Sequence, residues 1–191
     1  MSRITVRQFR KEDQERVVEL YLAGLHSYTE ENSIPEVPKI TRRFAEARCT
    51  NDGDMVDIEK SFLRDDHRKT FLVAEDESGK VVGCVGAIPS TEFNPDEYLE
   101  LVRMSVDHSC RGSGVGVKLV EAFEDWARSQ GYKHLNLTTL DGMKSAFRFY
   151  SKNGYQLIKD KQMRLDLTKY GIPTGENAQD VHVVHYVKHL D

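Results

Sequence analysis

Apolar residues recur at two spacings along this chain, and the switch between them predicts its elements. Ile4 and Val6, with Phe9 less regular, alternate with polar neighbours as a strand does. From about residue 12 the spacing widens to three and four, through Val17, Leu20, Tyr21 and Leu25, as on one face of a helix. Residues 33–39 hold Pro35 and Pro38 and read as a loop. Residues 54–63 read as a second helix through Val56, Ile58, Phe62 and Leu63. The apolar run 71–74 and the longer run 81–88 flank a turn signal at Ser78-Gly79, which predicts a buried hairpin. Gly83 and Gly86 interrupt its second strand and mark a bulge or a close backbone approach.

Residues 90–97 read as a loop and 98–106 as the next strand. A helix follows from about 114 to 130, with Val115, Leu119, Phe123, Trp126 and Ala127 on one stripe and Gly131 as its stop. Residues 134–140 are a strand. Met143, Ala146, Phe147 and Tyr150 define a helix ending near Gly154, and strands at 156–167 and 181–190 close the chain. The order predicts one mixed α/β domain over residues 1–191, with strands on both sides of a central strand-helix unit.

A chain of 191 residues buries a full core without disulfides or metals. A net charge of −4, with both signs mixed, offers no basic surface for nucleic acid and no polybasic run for an anionic membrane. No stretch reaches 18 apolar residues, and the N-terminus lacks the apolar core of a signal peptide. Cys49, Cys84 and Cys110 are odd in number, without metal-like spacing. These features predict a soluble cytoplasmic protein, nuclear access left open, with no metal site.

The candidate chemistry centres on Arg111, Gly112, Ser113, Gly114, Val115 and Gly116, between a strand and a helix. Alternate glycines let backbone N–H groups point at a ligand. The helix N-terminus and Arg111 add positive charge, which suits a phosphate. The spacing G-x-G-x-G matches neither the P-loop nor the dinucleotide fingerprint. By itself it leaves a phosphate cradle, a dinucleotide site and a ligand-free turn all open.

The flanks add more. Val106-Asp-His-Ser-Cys-Arg-Gly-Ser-Gly-Val-Gly116 resembles the acetyl-CoA motif of the GNAT superfamily of N-acetyltransferases, and Ala146-Phe-Arg-Phe-Tyr-Ser-Lys-Asn-Gly-Tyr155 resembles that family's later helix. Within the superfamily the chain is most similar to camello-like acetyltransferases, through Asp57-Ile58, the segments 71–75 and 81–83, Leu101-Val-Arg-Met-Ser-Val106 and Ala127-Arg-Ser-Gln-Gly-Tyr132. Many camello-like members carry an apolar membrane segment before the second helix. Here residues 33–55 are polar and charged.

The resemblance implies a GNAT fold: a mixed sheet of six to seven strands, about four helices, and a splay between the central strand and the next parallel strand. It implies acetyl-CoA as co-substrate and direct transfer to a primary amine, whether a small molecule, an amino acid or conjugate, or a protein lysine. A non-catalytic acetyl-CoA sensor is the alternative. Met104, Ser105 and Val106 would bind pantetheine, residues 111–116 the pyrophosphate, and the Met104 N–H would face the acetyl carbonyl. Glu100 would be the base and Tyr150 the acid toward sulfur. An extended strand would put Glu100, Val102 and Met104 on one face. Tyr28, Ile34 and His185 are candidates for the acceptor side, and many relatives pair as homodimers. Met143 stands where the family often has an amide. His182 and His185 would face opposite sides of a strand, partly exposed, a poor metal arrangement.

Overall fold

The computed structural model describes residues 3–26, 34–64, 67–173 and 179–191. Among them seven strands form one sheet: β1 (Thr5–Gln8), β2 (Thr70–Glu75), β3 (Val81–Pro89), β4 (Tyr98–Val106), β5 (His134–Leu140), β6 (Gln156–Arg164) and β7 (His182–His189). Their spatial order is β1-β2-β3-β4-β5-β7-β6. Every neighbouring pair is antiparallel except β4 and β5. The helices are α1 (Gln14–His26), α2 (Val37–Arg48), α3 (Val115–Ser129) and α4 (Lys144–Lys152). A parallel pair cannot be joined by a tight turn, and α3 is the crossover between β4 and β5.

The two faces of the sheet carry separate cores. On one, Val115, Leu119, Phe123 and Ala127 of α3 bury themselves against Val82, Leu99, Leu101 and Leu135. Each such side chain contributes about 1.5–3 kcal/mol by leaving water. On the other, Val17, Leu20 and Tyr21 of α1 pack with Phe71, Val73 and Cys84. Arg16 fixes the position of α1: its Nε donates to the Val81 carbonyl at 3.0 Å and its guanidinium pairs with Asp107, just past β4.

Two sequence expectations fail between α1 and β2. Residues 37–39 are not loop but the start of α2, with Pro38 in its first turn. A proline there gives up an N–H that has no intrahelical partner anyway, so it opens a helix rather than breaking one. The helix expected over 54–63 shrinks to short turns from residue 58, ending in a π-type turn at Lys60–Arg64. Met55, Ile58 and Phe62 are still buried, so the apolar spacing reported burial rather than a continuous helix.

A third expectation fails inside β4. Val102 pairs with Gly86 and Ser105 with Cys84, so Arg103 and Met104 together oppose Val85 alone. This is a β-bulge, with Arg103 in the left-handed region at φ 55°. One extra residue reverses the alternation. Val102 packs with the α1-side core, whereas Met104 and Val106 pack with the α3-side core. Glu100 and Val102 therefore do not share a face with Met104. Arg103 is held in its unfavourable backbone conformation by Asp54, 2.8 Å from its guanidinium, and by the ring of Phe44, 5.3 Å away.

Candidate active site

Past Glu100, ahead of the bulge, β4 and β5 part. Their ladder covers only Tyr98–His134, Leu99–Leu135 and Glu100–Asn136. From Leu101 to Val106 the β5-facing side of β4 has no strand partner among the described residues. Its backbone N–H and C=O groups on that side are left without a neighbouring strand to pair with. A cleft of about 860 Å³ follows it, lined by β4 from Glu100 to Val106, by Arg111, Gly112, Gly114 and Gly116, and by Tyr150 and His185.

The glycine turn sits at one end. Gly112 and Gly114 have φ of 78° and 90°, and a Cβ at either would meet nothing. Their open surroundings leave the backbone conformation as the reason for glycine. Gly116 is different: a Cβ there would lie 3.1 Å from the Phe149 ring, so glycine lets α3 approach α4 closely. Ser113 and Val115 do not line the cleft with their side chains. The Ser113 hydroxyl donates to the Cys110 carbonyl at 2.6 Å, and Val115 is buried in the core.

Glu100 lies at the fork, 6% exposed, and its carboxylate accepts from the Thr91 hydroxyl at 3.0 Å and the Thr91 N–H at 3.3 Å. Arg103, the cation nearest in sequence, pairs with Asp54 instead. Tyr150 crosses the opening from α4 and its hydroxyl reaches Met104 Sδ at 3.7 Å. The Met143 sulfur accepts from the Thr139 hydroxyl at 3.4 Å. Ser105 faces α1, where Gly24 makes room for its side chain.

His185 lines the cleft but is wholly buried, not partly exposed. Burial pushes its imidazole below the ordinary value of 6.5; nearby Lys161 adds to this and Glu92 opposes it. Above pH 6.5 the imidazole is neutral in both folded and unfolded chains. As the pH falls below 6.5 the unfolded chain takes up the proton first, so stability is lost toward the depressed folded value. A His185→Gln variant should lose less stability than the parent between pH 7 and pH 5, measured by urea melts. Ile34 does not line the cleft; it packs with Val37 and Met143 and sits against Gly142. Tyr28 lies outside the described residues. Sequence reasoning missed Thr91 and Asp54, whose contacts with Glu100 and Arg103 depend on a loop and a bulge that carry no local signal.

Fold and cleft together define a mixed α/β protein whose central strand offers an interior edge to a ligand. The chain belongs to the acetyltransferase (GNAT) family, whose family model matches residues 34–155. It is 34% identical to human (Homo sapiens) N-acetyltransferase 8B over 138 residues, covering 72% of this chain and 56% of that protein. It is 38% identical over 110 residues to the Xenopus laevis protein named "Probable N-acetyltransferase camello", covering 58% and 48%. The chain thus spans about half the length of the curated relatives it matches. A GNAT-family acetyltransferase of Staphylococcus aureus superimposes with TM-score 0.68 at 21% identity, over 99% of this chain and 100% of that one. A Salmonella typhimurium structure with its cofactor acetyl-CoA superimposes with TM-score 0.62 at 18% identity, over 100% and 95%. Among the described residues no helix is long and apolar enough to cross a membrane.

Proposed function

We propose that the chain transfers an acetyl group from acetyl-CoA directly to a primary amine. The observation that carries this reading is the unpartnered side of β4, continuous at one end with the glycine turn and at the other with Glu100. Pantetheine carries amide groups along an extended arm. Laid against Met104, Ser105 and Val106 it would pair with the backbone as a strand does, and its pyrophosphate would meet the N-terminus of α3 at residues 111–116. The structure with acetyl-CoA among the fold relatives supports the choice of ligand.

The chemistry follows from the ends of the cleft. An ammonium near its reference pKa of about 10.4 is not a nucleophile at neutral pH. Glu100 accepts one of its protons, directly or through water, and the amine attacks the thioester carbonyl. The N–H of Met104, within the bulge, stabilises the oxyanion that forms. As the C–S bond breaks, the Tyr150 hydroxyl donates toward sulfur. The cleft is also lined by Ile40, Phe44, Leu140, Met163 and Tyr170. They favour an amine on an apolar or aromatic body over a polyamine.

Purified protein given acetyl-CoA and a panel of amines should release CoA fastest with apolar or aromatic primary amines. Tight acetyl-CoA binding with no turnover on any amine would instead define a sensor module. Tyr150→Phe is expected to lower kcat by about tenfold or more while leaving KM for acetyl-CoA near the parent value. Normal turnover in that variant would remove the tyrosine from the mechanism.

A further inference from the structure

On the face of the sheet that carries Glu100, four buried polar atoms have no hydrogen-bond partner among the described residues: Oδ1 and Nδ2 of Asn136, and Nδ1 and Nε2 of His185. Both side chains have no exposed surface. They are neighbours on one sheet face. Asn136 sits directly beside Glu100 in the parallel β4–β5 ladder. His185 of β7 pairs with Thr138, two residues along β5 from Asn136. Side chains in such a diagonal relation stand roughly 7–8 Å apart at Cα, a span that one bridging water fills. Leaving a buried amide and a buried imidazole wholly unpaired is unfavourable, and ordered water between them would satisfy both.

We propose that Asn136 and His185 hold ordered water between them, behind the cleft wall to which Glu100 and His185 belong, and that this water carries the acceptor's proton from Glu100 to His185. The inference rests on the acetyl-transfer reading. An ammonium acceptor sheds two protons as the N–C bond forms and the C–S bond breaks. One ends on the CoA sulfur, and the other must leave the site. Glu100 takes that proton and passes it through the water to an imidazole nitrogen, from which it leaves along the cleft to solvent, restoring the carboxylate for the next turnover. Burial keeps His185 neutral at rest and disfavours its charged form, so the imidazole holds the proton only in passage. The charged groups around it are Lys161 of β6 and Glu92 of the loop before β4, paired with each other at 3.2 Å. Asn136 touches no substrate in this scheme and is a positioning residue.

The test combines hydration with kinetics. A crystal structure at a resolution that shows water should place one within hydrogen-bond reach of both Asn136 and His185. No water between them, or a direct bond between the two side chains, overturns the proposal whatever the activity. Asn136→Leu should hold Tm near the parent value, because it replaces a buried amide that has no protein partner with an apolar side chain of similar size, yet lower kcat about tenfold and alter the solvent deuterium isotope effect. His185→Gln, which still bonds water but takes no proton, should do the same to kcat with KM for acetyl-CoA unchanged. Added imidazole should restore part of the turnover of His185→Ala. Parent-like kcat and isotope effect in Asn136→Leu and His185→Gln would sink the relay and leave the acetyl-transfer reading standing. Failure of the parent protein to acetylate any amine would sink both.

Discussion

Replacing Glu100 by Gln is expected to lower kcat by roughly 10²–10⁴-fold, the range in which general-base groups act. The fold should survive the change. The amide oxygen of the substituted side chain would still accept from the Thr91 hydroxyl and N–H that now hold the carboxylate. What disappears is the ability to take a proton from the ammonium. Affinity for acetyl-CoA, measured by calorimetry, should stay within about twofold, because in the proposed binding mode the pantetheine edge begins beyond Glu100. Glu100→Asp should fall between the two, since it keeps the charge but withdraws it by one methylene. A Glu100→Gln enzyme with parent kcat would exclude the carboxylate from the reaction.

Gly83→Val is expected to be the most damaging single change to the framework of the site. A Cβ at residue 83 would lie 2.9 Å from Leu119 Cδ1, 3.0 Å from Val115 Cγ1 and 3.2 Å from the Ser105 carbonyl oxygen. Valine adds two further methyl groups to that contact. The Ser105 oxygen belongs to the β4 backbone, so the helix must give way. Overpacking of this kind costs about 2–3 kcal/mol, or a Tm lower by roughly 5–10 °C for a chain of this size. Because α3 starts at Val115 directly after the glycine turn, lifting it also displaces residues 111–116. KM for acetyl-CoA should therefore rise more than in an equally destabilised control such as Phe71→Leu, on the opposite face. Equal KM in the two variants would show that the turn does not depend on how α3 seats.

The central half of the molecule was legible in the sequence because its signals are local. The strand over 98–106, the strand over 134–140 and the apolar stripe of α3 are each written in consecutive residues. The interruption at Gly83 and Gly86 marked both the bulge and the close approach of a helix. What was not legible depends on long-range register. Nothing near Arg103 announces a left-handed residue in a strand; that follows from β3 being one residue shorter across the bulge. The burial of His185 is set by β5, β6 and the loop carrying Glu92, all distant in sequence. α2 went unread because its first-turn proline resembled a loop signal.

An ordinary open sheet has two margins, and proteins guard them because a bare strand invites another copy to pair. This sheet has β1 and β6 as its margins, and it carries a further bare strand side in its middle, where β4 and β5 diverge. That inner margin is guarded by access rather than by charge or bulges. α1 stands on one side of it and α3 and α4 on the other, so a second sheet cannot reach it but a single thin chain can. A ligand that pairs there acts as a missing strand of the fold. Its binding energy is added to the stability of the folded state, and the protein is most resistant to unfolding when loaded.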